Sequence, residues 1–154
     1  MIFTTKTDIA ANLNAVFAEF ADFEMFERYG LRSGAEITRT DDLATPGKGM
    51  IWNVRMPYRG KTRRINVELV DYDPPNSLDF CADADGFDAV IKIELVPLSG
   101  RQTRATVMLD ITAKTLAAKL VLQSARLTKS ALNKRFRQRL NRFGKSIEER
   151  LRMA

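Results

Sequence analysis

The chain of 154 residues contains no histidine and only one cysteine. Without imidazole, a Ser-His-Asp or Cys-His catalytic arrangement is excluded, and so is a zinc site that needs histidine ligands. The single cysteine, Cys81, can form neither an intrachain disulfide nor a cysteine-rich metal site. Any catalysis would have to use Asp, Glu, Lys, Arg, Tyr or water. No cofactor and no metal is predicted.

Long apolar runs are also missing. Residues 1–8 lack the apolar core and cleavage site of a signal peptide, and the charge-free stretch 120–125 is far too short to span a bilayer. These absences favour a cytoplasmic protein. A composition of 45% hydrophobic and 29% charged residues is that of a globular protein, and the length predicts one domain over residues 1–154.

Positive charge is concentrated in the last quarter of the chain. Residues 114–152 hold 12 Lys and Arg but only two acids, Glu148 and Glu149, for a local net charge of +10 against +6 for the whole chain. The positive field therefore belongs to this one segment.

Period-two alternation of apolar and polar residues dominates from residue 34 onward, in six segments joined by turns that contain Gly or Pro. This pattern predicts an antiparallel meander with one solvated face. An edge strand over residues 3–9 precedes it. Two short helices follow that strand, one capped by Asn12 and one over residues 22–29 that stops at Gly30. Asp85-Gly86 predicts a type I′ hairpin turn.

Residues 115–153 contain no proline and a single glycine, which predicts one long helix, with an interruption left open. Every third or fourth residue of its second half is apolar, which forms a stripe that would lie across the apolar face of the sheet. Lys129 falls on this stripe. Three explanations remain: an irregular helix turns it outward, its stem lies on apolar surface while the amine reaches water, or the amine meets a ligand.

Several segments, taken in this order, resemble the START and birch-pollen-allergen superfamily, also called polyketide cyclase/dehydrase-like or SRPBCC. They are Asp8-Ile9-Ala10-Ala11-Asn12, Gly47-Lys48-Gly49-Met50, Val70-Asp71-Tyr72-Asp73-Pro74-Pro75, Leu95-Val96-Pro97-Leu98 and the closing Leu140-Asn141-Arg142-Phe143-Gly144-Lys145-Ser146-Ile147-Glu148. The chain departs from the pattern in its basic final helix and in lacking a tryptophan after Phe26.

The resemblance implies an α+β helix-grip fold, in which a curved seven-stranded antiparallel sheet wraps around a long C-terminal helix. It also implies a cavity between sheet and helix, open near the two short helices. Members of the superfamily bind lipids, quinones, sterols or polyketides, and some catalyse cyclisation or dehydration. A fold alone does not choose among these activities.

Strand parity places an almost wholly apolar set of side chains on the inner face. A filled core explains such a set, and so does a pocket for an apolar ligand. The predicted ligand-binding residues are Trp52, Val54, Met56, Ile65, Val67, Leu69, Phe80, Phe87, Ala89, Ile91, Leu109, Lys129, Leu132 and Phe136.

Two further motifs have simpler explanations. Residues 83–88 resemble a calcium loop, but neither register places suitable ligands at both position one and position twelve together with the required glycine, so a hairpin turn is favoured. Cys81 has the opposite parity from Phe80 and is expected to point away from the pocket.

Three functions follow from these patterns. The first is binding of a hydrophobic small molecule that is lipid-, quinone- or polyketide-like. The second is a metal-free cyclase or dehydratase, for which Lys129, Arg63 and a tyrosine are the only candidate residues. The third is an interaction module that places the basic helix on RNA or on a membrane. The apolar segment 116–128 also leaves a homodimer open.

Overall fold

Seven strands form one antiparallel sheet in the computed structural model, which describes residues 1–154. The strands are β1 (Ile2–Ile9), β2 (Glu36–Arg39), β3 (Ile51–Tyr58), β4 (Lys61–Asp73), β5 (Ser77–Ala84), β6 (Phe87–Ser99) and β7 (Gln102–Ala113). Their order is β1-β7-β6-β5-β4-β3-β2, so β2 to β7 pair with their sequence neighbours and β1 closes the far edge. The predicted meander and the helix-grip fold are confirmed.

Four helices accompany the sheet. They are α1 (Leu13–Phe20), α2 (Phe23–Arg32), α3 (Leu116–Arg126) and α4 (Lys129–Met153). No helix combines the length and the apolar character that crossing a membrane would require.

The turns and caps follow local chemistry. Asp85 and Gly86 both have positive φ, +41° and +86°, as a type I′ turn requires. Asn12 caps α1 by accepting a hydrogen bond from the amide of Ala15 at 2.9 Å. The prediction that α2 stops at Gly30 is wrong. A Cβ on Gly30 would clash with the side chain of Ile37, so this glycine permits α2 to pack closely against β2.

The predicted long C-terminal helix is interrupted at Leu127 and Thr128. Thr128 has φ −114° and ψ 17°, and its hydroxyl donates to the carbonyl of Ala125 at 3.3 Å. Because of this break, Lys129 is the first residue of α4 and is exposed. Its amine lies 5.9 Å from the centre of the Phe3 ring.

Helix α4 packs mainly on β1, and its C-terminal half also reaches α1. The close approach occurs at Gly144, where an added Cβ would lie 3.2 Å from Ile9 and 3.3 Å from Thr7. Leu140 and Ile147 on the same face of α4 are buried. Among the strands, α4 therefore makes its closest backbone approach to the edge strand β1.

The core is concentrated at one end of the sheet. Leu69, Leu78 and Ala105 are fully buried there, together with Ile9. At the other end, one row of cross-strand neighbours contains no buried residue; it runs through Val54, Ile65, Ala84, Phe87 and Ala113. We call this row the open row. The space between the two ends holds the cavity.

Candidate functional site

A cavity of about 300 Å³ lies between α2 and the inner face of the sheet. We call it the α2 cavity. Its wall is apolar except for one carboxylate, and it consists of Phe20, Phe23, Phe26, Glu27, Ile37, Trp52, Val54, Val67, Phe80, Ile91 and Ile93. Helices α1 and α2 supply the first four residues, and strands β2 to β6 supply the rest.

Strand register explains why these side chains meet. Trp52 pairs with Val67 across β3 and β4, and Phe80 pairs with Ile91 across β5 and β6. Directly opposed residues point to the same face of an antiparallel sheet, so alternating apolar positions form a continuous surface. Trp52 and Phe80 contact each other with their ring centres 6.2 Å apart.

Helix α2 supplies the opposite wall. Asp22 caps it by accepting from the amide of Met25 at 3.2 Å. The Phe23 ring then lies 5.4 Å from Trp52 and 6.4 Å from Phe80, measured between ring centres. Offset and edge-to-face rings at such spacings attract each other beyond their burial. The three rings therefore form a rigid aromatic wall to the cavity.

Glu27 is the only ionisable residue on the cavity wall. Its Oε1 accepts a hydrogen bond from the indole Nε1 of Trp52 at 2.9 Å, and Oε2 has no protein donor. A carboxylate has capacity for further hydrogen bonds. This oxygen is thus available to a donor on a bound molecule.

The predicted site residues fall into three groups in the structure. Those that line the cavity are Trp52, Val54, Val67, Phe80 and Ile91. Those on the inner face outside the wall are Met56, Ile65, Leu69, Phe87, Ala89 and Leu109, of which Leu69 is fully buried in the core and Met56 is exposed. Those on α4 are Lys129, Leu132 and Phe136, and they also lie outside the cavity wall.

Sequence reasoning missed six wall residues: Phe20, Phe23, Phe26, Glu27, Ile37 and Ile93. The signal that pointed to some of them was the position of the two short helices, which the resemblance placed at the mouth of a cavity. Within α2, Phe23, Phe26 and Glu27 share one face because they are three and four residues apart.

The three types of candidate catalytic residue do not converge. Arg63 pairs with Asp85 at 3.3 Å at the hairpin end of the sheet, and Lys129 lies beside β1. Tyr29 and Tyr58 are exposed, while Tyr72 packs against an aromatic ring of α1. None of them lines the α2 cavity.

The hairpin over residues 83–88, which resembles a calcium loop, is held by ion pairs. Asp83 and Asp88 both pair with Lys114, at 2.9 and 3.2 Å, so a lysine bridges the two strands of the acidic hairpin. The hydrogen bonds that Lys114 donates to Asp83 and then Asp88 raise the pKa of Lys114. No group of three or more acidic or cysteine side chains is placed to hold a metal ion.

Comparison with known proteins points to one family. The family model described as polyketide cyclase / dehydrase and lipid transport matches residues 1–148. No curated protein sequence is significantly similar to the chain.

Solved structures share the fold at low identity. The ZhuI aromatase/cyclase from Streptomyces sp. R1128 aligns with a TM-score of 0.70 at 12% identity, over 98% of this chain and 95% of its own. Ara h 8.0201 aligns with a TM-score of 0.64 at 15% identity, over 100% and 99%. A START superfamily protein from Mycobacterium smegmatis aligns with a TM-score of 0.57 at 16% identity, over 89% and 97%. At these identities the similarity establishes the fold.

Proposed function

Because this chain belongs to the polyketide cyclase / dehydrase and lipid transport family, we propose that it binds a hydrophobic small molecule in the α2 cavity. The family and the fold support a role in hydrophobic-ligand binding or in polyketide-cyclase-like chemistry. The observation that carries the proposal is a wall of eleven residues of which ten are hydrophobic. Burial of apolar surface in such a wall stabilises a ligand by about 25 cal/mol per Å².

Volume and polarity narrow the ligand class. A cavity of about 300 Å³ is at the small end of ligand pockets, which suits a single lipid chain or a compact ring system. The free oxygen of Glu27 favours a ligand that carries one hydroxyl or phenol donor. A lipid-, hydroquinone- or polyketide-like molecule with such a group meets both conditions.

Trp52 makes the proposal directly measurable, because it is the only tryptophan and lies on the cavity wall. We expect N-phenyl-1-naphthylamine to gain fluorescence on binding and to accept energy from Trp52. Val67→Phe fills part of the cavity and should weaken this binding. Val96→Phe makes the same change at an exposed position outside the cavity and is the control. Equal affinities for the two variants would exclude the α2 cavity as the site.

Glu27 also supports a second candidate function, a cyclase-like reaction. A carboxylate beside a bound molecule can act as a general acid or base. Glu27→Gln keeps an acceptor for the indole but removes the ionisable group. Turnover of a poly-β-ketone analogue should then disappear while N-phenyl-1-naphthylamine still binds. Unchanged turnover in this variant would assign the reaction to another residue or to none.

The basic α4 supports a separate interaction with an anionic surface. Arg135, Arg137, Arg139 and Arg142 have no acidic partner within 4 Å, which leaves their charge available. Reversing these four charges should abolish retention on heparin and on anionic vesicles. Unchanged retention would show that the helix is simply a solvated face.

A further inference from the structure

Helix α3 presents an apolar face to solvent. Leu116 is 75% exposed, Leu120 59%, Val121 56% and Leu127, just after the helix, 88%. At about 100° per residue, Leu116, Leu120 and Leu127 fall within about 40° of one another, and Val121 lies about 100° from Leu120 toward the buried side. The opposite side carries Ala118, which is buried and would lie 3.5 Å from a Cβ on Gly86. The apolar face is therefore unpartnered while the helix itself is anchored to the sheet.

The two helices that carry and follow this face are basic along the chain. No Asp or Glu occurs between Asp110 and Glu148, a range that includes all of α3 and most of α4. Within α3, Lys119 and Arg126 flank the apolar side chains, and neither has an acidic partner within 4 Å. An apolar face bordered by unpaired cations complements an anionic lipid bilayer, which has negatively charged headgroups over an apolar interior.

Other occupants fit this face less well. A second copy would bring like charges together, and four side chains on a three-turn helix fall short of the ~800 Å² per partner that a stable interface buries. RNA recognition relies on phosphate contacts and on aromatic stacking, and α3 has no aromatic residue. Exposed leucines add nothing to either contact with RNA.

The location of α3 links the surface to the cavity. The open row runs from Val54 on the cavity wall to Ala113, just before α3 begins. At about 4.8 Å between strands, the row spans roughly 19 Å. Its residues Ile65, Ala84 and Phe87 are not buried. A row of half-buried apolar side chains therefore connects the cavity wall with the end of the sheet on which α3 lies.

We propose that α3 docks this protein reversibly on an anionic lipid bilayer, with Leu116, Leu120, Val121 and Leu127 entering the interface. The inference deepens the proposed function, because it rests on a hydrophobic ligand that exchanges along the open row. An eleven-residue helix buries little area, so binding depends on the apolar face and on the basic residues together.

The test compares two identical substitutions at equal exposure. Leu120→Glu changes the apolar face of α3, and Leu31→Glu changes a leucine that is also 59% exposed but lies on α2. Flotation is measured with vesicles of phosphatidylcholine alone and of phosphatidylcholine mixed with phosphatidylglycerol. Wild type and Leu31→Glu should float with the mixed vesicles. Leu120→Glu should partition about tenfold more weakly, as expected for one leucine removed from the apolar phase.

Electrostatics gives a second measurement. Lys119→Glu should reduce the preference for phosphatidylglycerol, beyond any contribution of the α4 arginines. Salt at about 1 M, where the screening length is about 3 Å, should weaken binding of the wild type in the same way. Circular dichroism of each variant establishes that it is folded, which is expected because every mutated side chain is exposed.

Three outcomes would overturn the docking proposal. They are no flotation of the wild type, equal flotation of Leu120→Glu and Leu31→Glu, or a wild-type dimer in light scattering that Leu120→Glu dissociates. Binding of N-phenyl-1-naphthylamine separates this failure from failure of the cavity proposal. If the wild type binds the probe but not vesicles, only the docking proposal is refuted. If the wild type binds vesicles but not the probe, only the proposal of a ligand in the α2 cavity is refuted.

Discussion

Loss of the carboxylate at Glu27 should destabilise the protein because it leaves the Trp52 indole without its acceptor. Trp52 is 6% exposed, and its Nε1 donates to Glu27 over 2.9 Å. An unsatisfied buried donor costs about 1–3 kcal/mol. At about 2–4 °C per kcal/mol for a chain of this size, Glu27→Ala should lower Tm by about 2–12 °C. Glu27→Gln keeps an acceptor for the indole, so its Tm should fall by less.

Glu24→Ala provides the matched control. Glu24 is on the same helix, its side chain is 86% exposed, and its only ion pair is with Arg28 at 3.9 Å. Such surface pairs contribute about 0–1 kcal/mol. Both substitutions change helix propensity equally, and Glu24→Ala also loses an acid from the first turn of α2, so a larger loss in Glu27→Ala is due to the buried hydrogen bond.

Urea unfolding followed by circular dichroism measures the free energies of unfolding of all three variants. The indole N–H resonance gives an independent signal, because the protein has one tryptophan and therefore one such peak. It should shift in Glu27→Ala and stay in place in Glu24→Ala. Equal stability of these two variants would show that water in the cavity replaces the carboxylate, and the reasoning about a dry, apolar wall would then be refuted.

Two further predictions concern parts of the fold away from the cavity. Asp41 accepts from the Arg39 guanidinium and from the amide of Ile51, which holds the pKa of that carboxyl well below its usual range. Its stabilisation is therefore present above about pH 4 and lost as pH falls through the folded-state pKa, so Asp41→Asn should lower the urea midpoint at neutral pH and match wild type in strong acid. A constant difference across that range would contradict this. Gly144→Val should lower the free energy of unfolding by about 1–3 kcal/mol, because its Cβ would already lie 3.2 Å from Ile9. In Gly144→Ala a gain in helix propensity of about 1 kcal/mol offsets part of the loss, and equal stability of both variants would refute the close packing.

The strands could be predicted from the sequence because their signal is local. A period of two residues fixes which side chains share a face, and the turns fix the register. Hence the alternation alone predicts that Trp52, Val67, Phe80 and Ile91 share one face. The alternation gives the face of the sheet on which a residue lies. It does not give the distance of that residue from the helices. Leu69 shares a face with Val67, yet it is buried in the core while Val67 lines the cavity.

Helix positions could not be predicted in the same way. The spacing of apolar residues in α2 predicts a helix but not the angle at which it meets the sheet. Phe23, Phe26 and Glu27 became wall residues through that angle. A break before Lys129 is one of three explanations that the sequence allows for a lysine on the apolar stripe. The sequence does not choose among them, because the break depends on how α3 and α4 pack against different strands.

The placement of α4 accounts for both the cavity and the open row. This helix packs on β1, and Gly144 brings its backbone close to Ile9. The helical part of the cavity wall accordingly comes from α1 and α2 and contains no residue of α4. Apolar side chains such as Val54 and Val67 then lack part of the packing that a filled core would give them. A hydrophobic ligand would supply those contacts and would stabilise the folded state by RT ln(1 + L/Kd), where L is its free concentration. The same edge-bound helix leaves α3 free at the open end, where a ligand would enter.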